Sequence, residues 1–141
     1  MLYITGIHAL NLPCELETCG DWHTSAIQWN NPQIRESKLM FFKDYGIETN
    51  HIIPEHNGQY NVANTIRALL DLLQEGKFSI AQGMNNEYIC NDKYNQEVFS
   101  LVYSMKTLNN WIDINNFMKK EYRLSWLDYL QQRGEEFEQI S

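Results

Sequence analysis

The clearest hydrophobic pattern lies in the second half of the chain, where apolar residues recur at helical spacing. The first helix is predicted to begin after Asn61, a good N-cap residue, and to end at Gly76. Its apolar face consists of Val62, Ile66, Leu69, Leu70 and Leu73. Similar spacing predicts three further helices, over 92–105, 111–118 and 125–133.

The first half of the chain carries short apolar runs instead of long periodic ones. Residues 2–12 and 38–53 are predicted to form a small sheet, with 78–81 as a further candidate strand. The pattern predicts an α+β fold, a small β-sheet from the N-terminal half packed against about four C-terminal helices. An all-α fold is the alternative. The length of 141 residues is typical of one domain, so 1–141 is expected to form a single domain.

Charge narrows the classes of partner. The chain has 11 basic and 18 acidic side chains, and its net charge is −7. The acids are dispersed, and no long basic surface is expected that would release counterions from phosphates, so nucleic acid is an unlikely partner. The one local basic cluster consists of Lys119, Lys120 and Arg123.

The three cysteines, Cys14, Cys19 and Cys90, have irregular spacing. An odd number of cysteines at such spacing is a poor disulfide framework, so reduced thiols are expected. No signal peptide and no apolar run of membrane-spanning length are recognisable. The expected location is the cytoplasm, with no membrane partner.

The densest polar cluster runs from residue 14 to residue 23 and allows three chemical interpretations. Cys14, Cys19 and His23 are candidate ligands for a metal such as zinc. Cys14 or Cys19 is a candidate nucleophile, with His23 or His8 as its base. Asp21 and His23 are a candidate catalytic acid–base pair. The structural alternative is that Asp21 caps a short helix over 22–29.

The segment from Tyr45 to His56 is a second candidate catalytic segment. It contains a long polar connection with His51 and His56 on either side of Pro54 and Glu55. Histidine transfers protons near neutral pH and ligates metals, and functional residues concentrate on loops. A small enzyme with a site near Asp21, His23 and this loop is therefore the alternative function.

Large aromatic side chains concentrate in the last two predicted helices. Core packing is the structural alternative for these side chains. Because Tyr122, Trp126 and Tyr129 are more than one helix face needs for packing, an exposed patch of them is the functional prediction and is expected to bind a partner, since protein interfaces are rich in Trp and Tyr. The chain contains no phosphate-binding glycine loop and no hydrolase or zinc-protease motif, and no cofactor is expected.

Two stretches of the chain resemble a group of small bacterial proteins encoded on mobile elements, in loci like those of toxin–antitoxin and phage-defence systems. The first stretch is His8-Ala9-Leu10-Asn11-Leu12-Pro13, which continues to Gly20-Asp21-Trp22-His23. The second comprises Asp44-Tyr45-Gly46-Ile47-Glu48, then Val62-Ala63-Asn64 and Ile66-Arg67-Ala68-Leu69-Leu70-Asp71. The resemblance covers most of the chain. It implies a small, acidic, cytoplasmic protein that binds another protein, and it assigns no catalytic residue.

The leading hypothesis is a bacterial accessory protein that acts by protein–protein binding, as an antitoxin-like or defence-related regulator. Its partner is expected to be another protein, encoded next to it, and homo-oligomer formation stays open. A small enzyme is the alternative. A DNA-binding autorepressor is the third hypothesis, and the acidic net charge argues against it.

Overall fold

A computed structural model describes residues 1–134 and has a four-stranded sheet at its N-terminal side. The strands are β1 (Leu2–Ile4), β2 (Ile34–Glu36), β3 (Ile47–His51) and β4 (Tyr60–Ala63). Their order is β2-β1-β4-β3. The central pair, β1 and β4, is parallel, and the two outer pairs are antiparallel.

Helical segments, including short 3-10 turns, make up about half of the described chain. The α-helices are α1 (Gly6–Leu10), α2 (Thr65–Gln74), α3 (Phe78–Ala81), α4 (Asn95–Ser104), α5 (Trp111–Tyr122) and α6 (Leu124–Gln132). A π-helix over Met84–Ile89 follows α3. The predicted α+β class, with a small sheet and four C-terminal helices, is confirmed: α2, α4, α5 and α6 occupy the four predicted helical segments. The all-α alternative is wrong.

Helix α2 is the central element and is buried along almost its whole length, from Thr65 to Leu73. It begins three residues later than predicted. Its N-cap is Asn64, whose side chain accepts a hydrogen bond from the backbone N–H of Arg67 at 2.9 Å. The predicted cap, Asn61, lies instead in β4, because residues 60–63 pair with β3 and β1 and cannot also be helical.

The predicted strand assignments need three corrections. Residues 6–10 are helical and not a strand, residues 78–81 form α3, and the apolar run 39–42 ends a 3-10 turn and enters a bend. The predicted helix over 22–29 is reduced to a 3-10 turn at Thr24–Ala26. Short apolar runs are compatible with a buried strand or a buried helix, and tertiary pairing decides between them.

Tyr122, Trp126 and Tyr129 lie in the core and do not form the exposed patch that was expected. Their exposed fractions are 4%, 0% and 5%. All three rings pack edge-to-face on Phe99, with centroid distances of 4.9, 5.4 and 5.5 Å. The indole N–H of Trp126 donates to Asn115 Oδ1 at 2.8 Å. These aromatic residues therefore join α4, α5 and α6. They are more numerous than one helix face needs because they fill the space where three helices meet.

No helix within residues 1–134 has the length and apolar character needed to cross a membrane.

Candidate functional site

A long concave surface runs along α5, between this helix and a facing wall made of α3 and the π-helix. We call it the α5 groove. It comprises two adjoining clefts of about 590 and 500 Å³, which share Ser79, Gln82, Lys120 and Glu121. Lining residues along α5 and its approaches extend from Asn110 to Arg123, which corresponds to a length of about 20 Å at 1.5 Å per helical residue.

The floor of the groove near its Asn110 end is apolar. Phe78 from α3 and Phe117 from α5 line it, and their ring centroids are 5.6 Å apart. Phe117 is almost fully buried, whereas Phe78 is partly exposed. This arrangement leaves an aromatic surface on which an aliphatic side chain can pack.

The charged side chains that line the groove differ in whether they have a partner within the protein. Lys120 and Arg123 are exposed, lie three positions apart at the end of α5, and make no ion pair or side-chain hydrogen bond within residues 1–134. The carboxylate of Glu121, in contrast, accepts from the backbone N–H groups of Gly83 and Asn85 at 3.3 and 3.2 Å. Asp113 lies at the opposite end of the groove. Glu87, which is exposed, lines the same cleft as Lys120 and Arg123, so the two cations share that end of the groove with a carboxylate to which neither is paired.

Two backbone features shape the end of the groove that holds these cations. Arg123 joins α5 to α6 with φ +54° and ψ −126°, a conformation that glycine tolerates and that costs other residues of order 1–3 kcal/mol. Gly83 begins the π-helix with φ +95°, and a Cβ there would lie 2.5 Å from Glu87 Oε2. Strained residues and π-helical turns both concentrate at functional sites.

The polar segment 13–23 lies against the π-helix and extends the site. The backbone N–H of Gly20 donates to the carbonyl of Tyr88 at 2.8 Å, and that of Asp21 donates to the carbonyl of Leu10 at 3.0 Å. Gly20 has φ +64°, and a Cβ there would collide with the Trp22 indole, so this contact depends on glycine. Tyr88 therefore contacts segment 13–23 through its carbonyl and also lines the α5 groove.

Asp21 and His23, the predicted acid–base pair, do lie together. The His23 Nε2 is 3.1 Å from Asp21 Oδ1, and the backbone N–H of His23 donates to Asn11 Oδ1 at 3.1 Å. Both side chains are well exposed, at 77% for His23 and 43% for Asp21. Burial, with the charges of Asp21 and Glu87, raises the pKa of Tyr88, which lines the groove. The pair has the geometry for proton exchange with solvent.

Cys14, Cys19 and His23, the predicted metal ligands, are not brought together. Cys19 forms a disulfide with Cys90, with 5.9 Å between the two Cα atoms. The Sγ of Cys14 lies 3.4 Å from Thr65 Oγ1. Across residues 1–134, no three His, Cys, Asp or Glu side chains are placed to hold a metal ion. The expectation that all three thiols are reduced is wrong for Cys19 and Cys90.

The histidines of the Tyr45–His56 segment do not converge with His23. His51 Nε2 lies 2.7 Å from Glu48 Oε1, within β3. His56 Nε2 lies 2.5 Å from the carbonyl oxygen of Trp29. Each histidine is thus held by its own local partner, and the structure does not combine this segment with Asp21 and His23 into one constellation.

His8, the alternative base, is fixed as a structural residue. Its Nδ1 accepts a hydrogen bond from the backbone N–H of Gln33 at 3.1 Å, so its Nε2 carries the proton that is donated to the Gln28 carbonyl at 2.8 Å. Its ring packs edge-to-face on Trp29 at 5.0 Å. These contacts use both ring nitrogens and leave neither for a cysteine.

Only part of the α5 groove could be recognised in the sequence. The proximity of Lys120 and Arg123 was visible in the sequence, but only as a local basic cluster. The facing wall was not, because Ser79, Gln82 and Asn86 carry no motif and approach α5 only through folding. No protein-family model, no curated protein and no solved structure matches this chain.

Proposed function

We propose that this protein acts by binding an extended segment of another protein in the α5 groove, as a cytoplasmic accessory protein of the antitoxin-like or defence-related kind. One observation carries the proposal. Lys120 and Arg123 are exposed and unpaired within the described residues at one end of a groove whose floor is aromatic. Cations without an internal partner favour a ligand or partner that carries a carboxylate.

The length of the groove supports a peptide rather than a compact metabolite. A surface of about 20 Å accommodates roughly six extended residues at ~3.3 Å each. The clefts are open to solvent along their length, whereas sites for small ligands typically enclose most of the ligand surface. A partner segment held along α5 would also obtain apolar contact from Phe78 and Phe117.

The order of charges specifies the direction of the bound segment. A carboxylate at one end pairs with Lys120 and Arg123, an aliphatic side chain packs over the Phe78–Phe117 floor, and a basic side chain reaches Asp113. Charge order of this kind chiefly gives specificity and correct register. A segment bound in the same chain direction with its charges exchanged would place a cation beside Arg123 and a carboxylate beside Asp113.

The experiment is a fluorescence-anisotropy titration with two labelled octapeptides of identical composition. One has Glu near its N-terminus, Leu in the centre and Lys near its C-terminus, and in the other Glu and Lys are exchanged. We expect one of these orders to bind about tenfold more tightly than its charge-exchanged counterpart. Equal binding by all orders, or no binding by any, would overturn the proposal.

Arg123→Gly is the most informative variant, because it removes the cation and relieves the strained backbone at the same position. Binding of the preferred peptide should weaken about tenfold while stability is kept or improved. Lys38→Gln, which removes an exposed lysine beside β2, is the matched control and should bind normally. A protein captured from host extract by the wild-type chain should be lost with Arg123→Gly and displaced by the peptide.

A further inference from the structure

The disulfide between Cys19 and Cys90 is exposed at both ends. Both residues are among the solvent-exposed ones, although 71 positions separate them in the chain. Accessible disulfides are open to attack by a thiolate and are more often labile or regulatory than enclosed structural ones. The third cysteine, Cys14, is a free thiol. The protein therefore has one disulfide that is accessible to thiol–disulfide exchange, and one free cysteine, Cys14, that can serve as an internal reference for alkylation.

The crosslink acts close to the α5 groove. Cys90 directly follows the π-helix and has a left-handed backbone, with φ +42° and ψ +35°. Two residues before it, Tyr88 lines the groove and accepts the hydrogen bond from Gly20, the residue after Cys19. The disulfide and this hydrogen bond therefore fasten segment 19–21 to the end of the helix that supplies one groove wall.

Other contacts hold the same segment independently of the disulfide. The backbone N–H of Glu17 donates to Tyr94 Oη at 2.9 Å, Asn91 Nδ2 donates to the carbonyl of Glu17 at 2.8 Å, and the Glu17 carboxylate pairs with Lys93. These contacts remain when the disulfide opens. Opening should therefore loosen residues 19–23 and the end of the π-helix without releasing the whole segment.

We propose that Cys19 and Cys90 form a reversible thiol–disulfide exchange site for a dithiol reductant, and that its state sets the rigidity of the π-helix wall. One thiolate of the reductant attacks a sulfur of the pair and forms a mixed disulfide, releasing the other cysteine as a thiol. The second thiol of the reductant then displaces the protein sulfur. The reductant becomes an intramolecular disulfide, and two protein thiols result. An effect on peptide affinity rests on the proposed function; the exchange itself does not.

The test uses the folded full chain and dithiothreitol as the dithiol probe. Native protein is alkylated before and after treatment and weighed by mass spectrometry, and amide hydrogen exchange is measured in parallel. We expect one alkylated cysteine before treatment, Cys14, and three after it. Amides of residues 84–94 should exchange about tenfold faster in the reduced protein, while those of α2 are unchanged.

Matched variants separate the exchange site from a general loss of structure. Cys19→Ser without dithiothreitol should reproduce the faster exchange of 84–94, and Cys14→Ser should leave it at the wild-type rate. The proposal is overturned if three cysteines are alkylated before treatment, if reduction requires urea, or if exchange in 84–94 is the same in both states. None of these outcomes depends on whether the α5 groove binds a peptide.

Discussion

Arg67 and Asp71 lie one helical turn apart on α2 and form an ion pair that is closed to solvent, with side chains 0% and 1% exposed and 2.8 Å between Nε and Oδ1. Other hydrogen-bonding atoms of the two side chains also have partners. Asp71 Oδ2 accepts from Tyr3 at 2.6 Å and from Thr5 at 2.7 Å. Arg67 also donates to the carbonyls of Lys43 and Tyr45, each at 2.6 Å. The network fastens β1 and the approach to β3 onto the central helix.

Asp71→Asn should destabilise the protein strongly. The change leaves the buried guanidinium of Arg67 without its counter-charge, and the new amide must direct its NH₂ at either Arg67 or the hydroxyl donors of Tyr3 and Thr5. Breaking a buried ion pair in this way costs about 3–5 kcal/mol. Urea denaturation monitored by circular dichroism measures the loss.

Glu75→Gln is the control, because Glu75 pairs with Arg35 in a similar geometry at a partly exposed position. The Nε–Oε2 distance is 2.6 Å, and the side chains are 26% and 24% exposed. Solvent screening limits the contribution of such a pair to about 1 kcal/mol or less. Equal effects of Asp71→Asn and Glu75→Gln would show that burial of the Arg67–Asp71 pair has no energetic consequence.

Helix α2 could be predicted from the sequence more reliably than the strands of the sheet. The helical spacing from Ile66 to Leu73 identified the helix, because its apolar face is visible in one segment. The start of the helix was misplaced because Val62 fits the same spacing but, like Ala63 beside it, is buried in a strand. Their pairing with β1 and β3 depends on residues far away in the chain, and no local pattern records it.

The candidate site was less predictable than the fold. Asp21 and His23 were identified because they are neighbours in the sequence, and they do contact each other. The Cys19–Cys90 pairing spans 71 residues, and cysteine spacing does not determine connectivity over such a separation. The exposed aromatic patch was a wrong prediction, whereas its alternative, core packing, is what Trp126 and Tyr129 show, because a helix that packs on two neighbours buries more than one face.

Tyr122→Phe should stabilise the protein. The hydroxyl of Tyr122 is buried and has no hydrogen-bond partner among the described residues. A buried polar group without a partner costs about 1–3 kcal/mol, which phenylalanine avoids while keeping the ring packed on Phe99. Thermal and urea unfolding should both shift upward. Tyr3→Phe should act in the opposite direction, because the Tyr3 hydroxyl bonds to Asp71 and Arg67.

Alkaline pH should destabilise the fold through its buried tyrosines. Burial raises the pKa of Tyr3, Tyr45 and Tyr122, assisted by the carboxylates of Asp71 at Tyr3 and Glu97 at Tyr45. A raised pKa in the folded state means that the neutral tyrosine is favoured there. This stabilisation is fully present below the unfolded value of about 10 and is lost as the pH rises further.

Urea midpoints measured between pH 8 and pH 11 test this prediction. The midpoint should fall on the alkaline side, and it should fall less steeply in Tyr122→Phe, which removes one of the tyrosines whose pKa is raised. A parallel titration of tyrosine absorbance should show that a fraction of the tyrosines ionises only as the protein unfolds. An equally steep fall in wild type and variant would exclude Tyr122 as a contributor.

Loss of the Cys19–Cys90 disulfide should lower global stability as well as local order. The crosslink closes a loop of 71 residues, and restricting the unfolded chain to that extent contributes about 4 kcal/mol. This effect belongs to the unfolded state, so it is separate from the faster amide exchange expected in the native protein.

Cys19→Ser should therefore have a much lower urea midpoint than oxidised wild type. Reduced wild type should match Cys19→Ser, and Cys14→Ser should keep the wild-type midpoint, since Cys14 takes no part in the crosslink. If dithiothreitol leaves the wild-type midpoint unchanged although both thiols are alkylated, the crosslink does not restrict the unfolded chain.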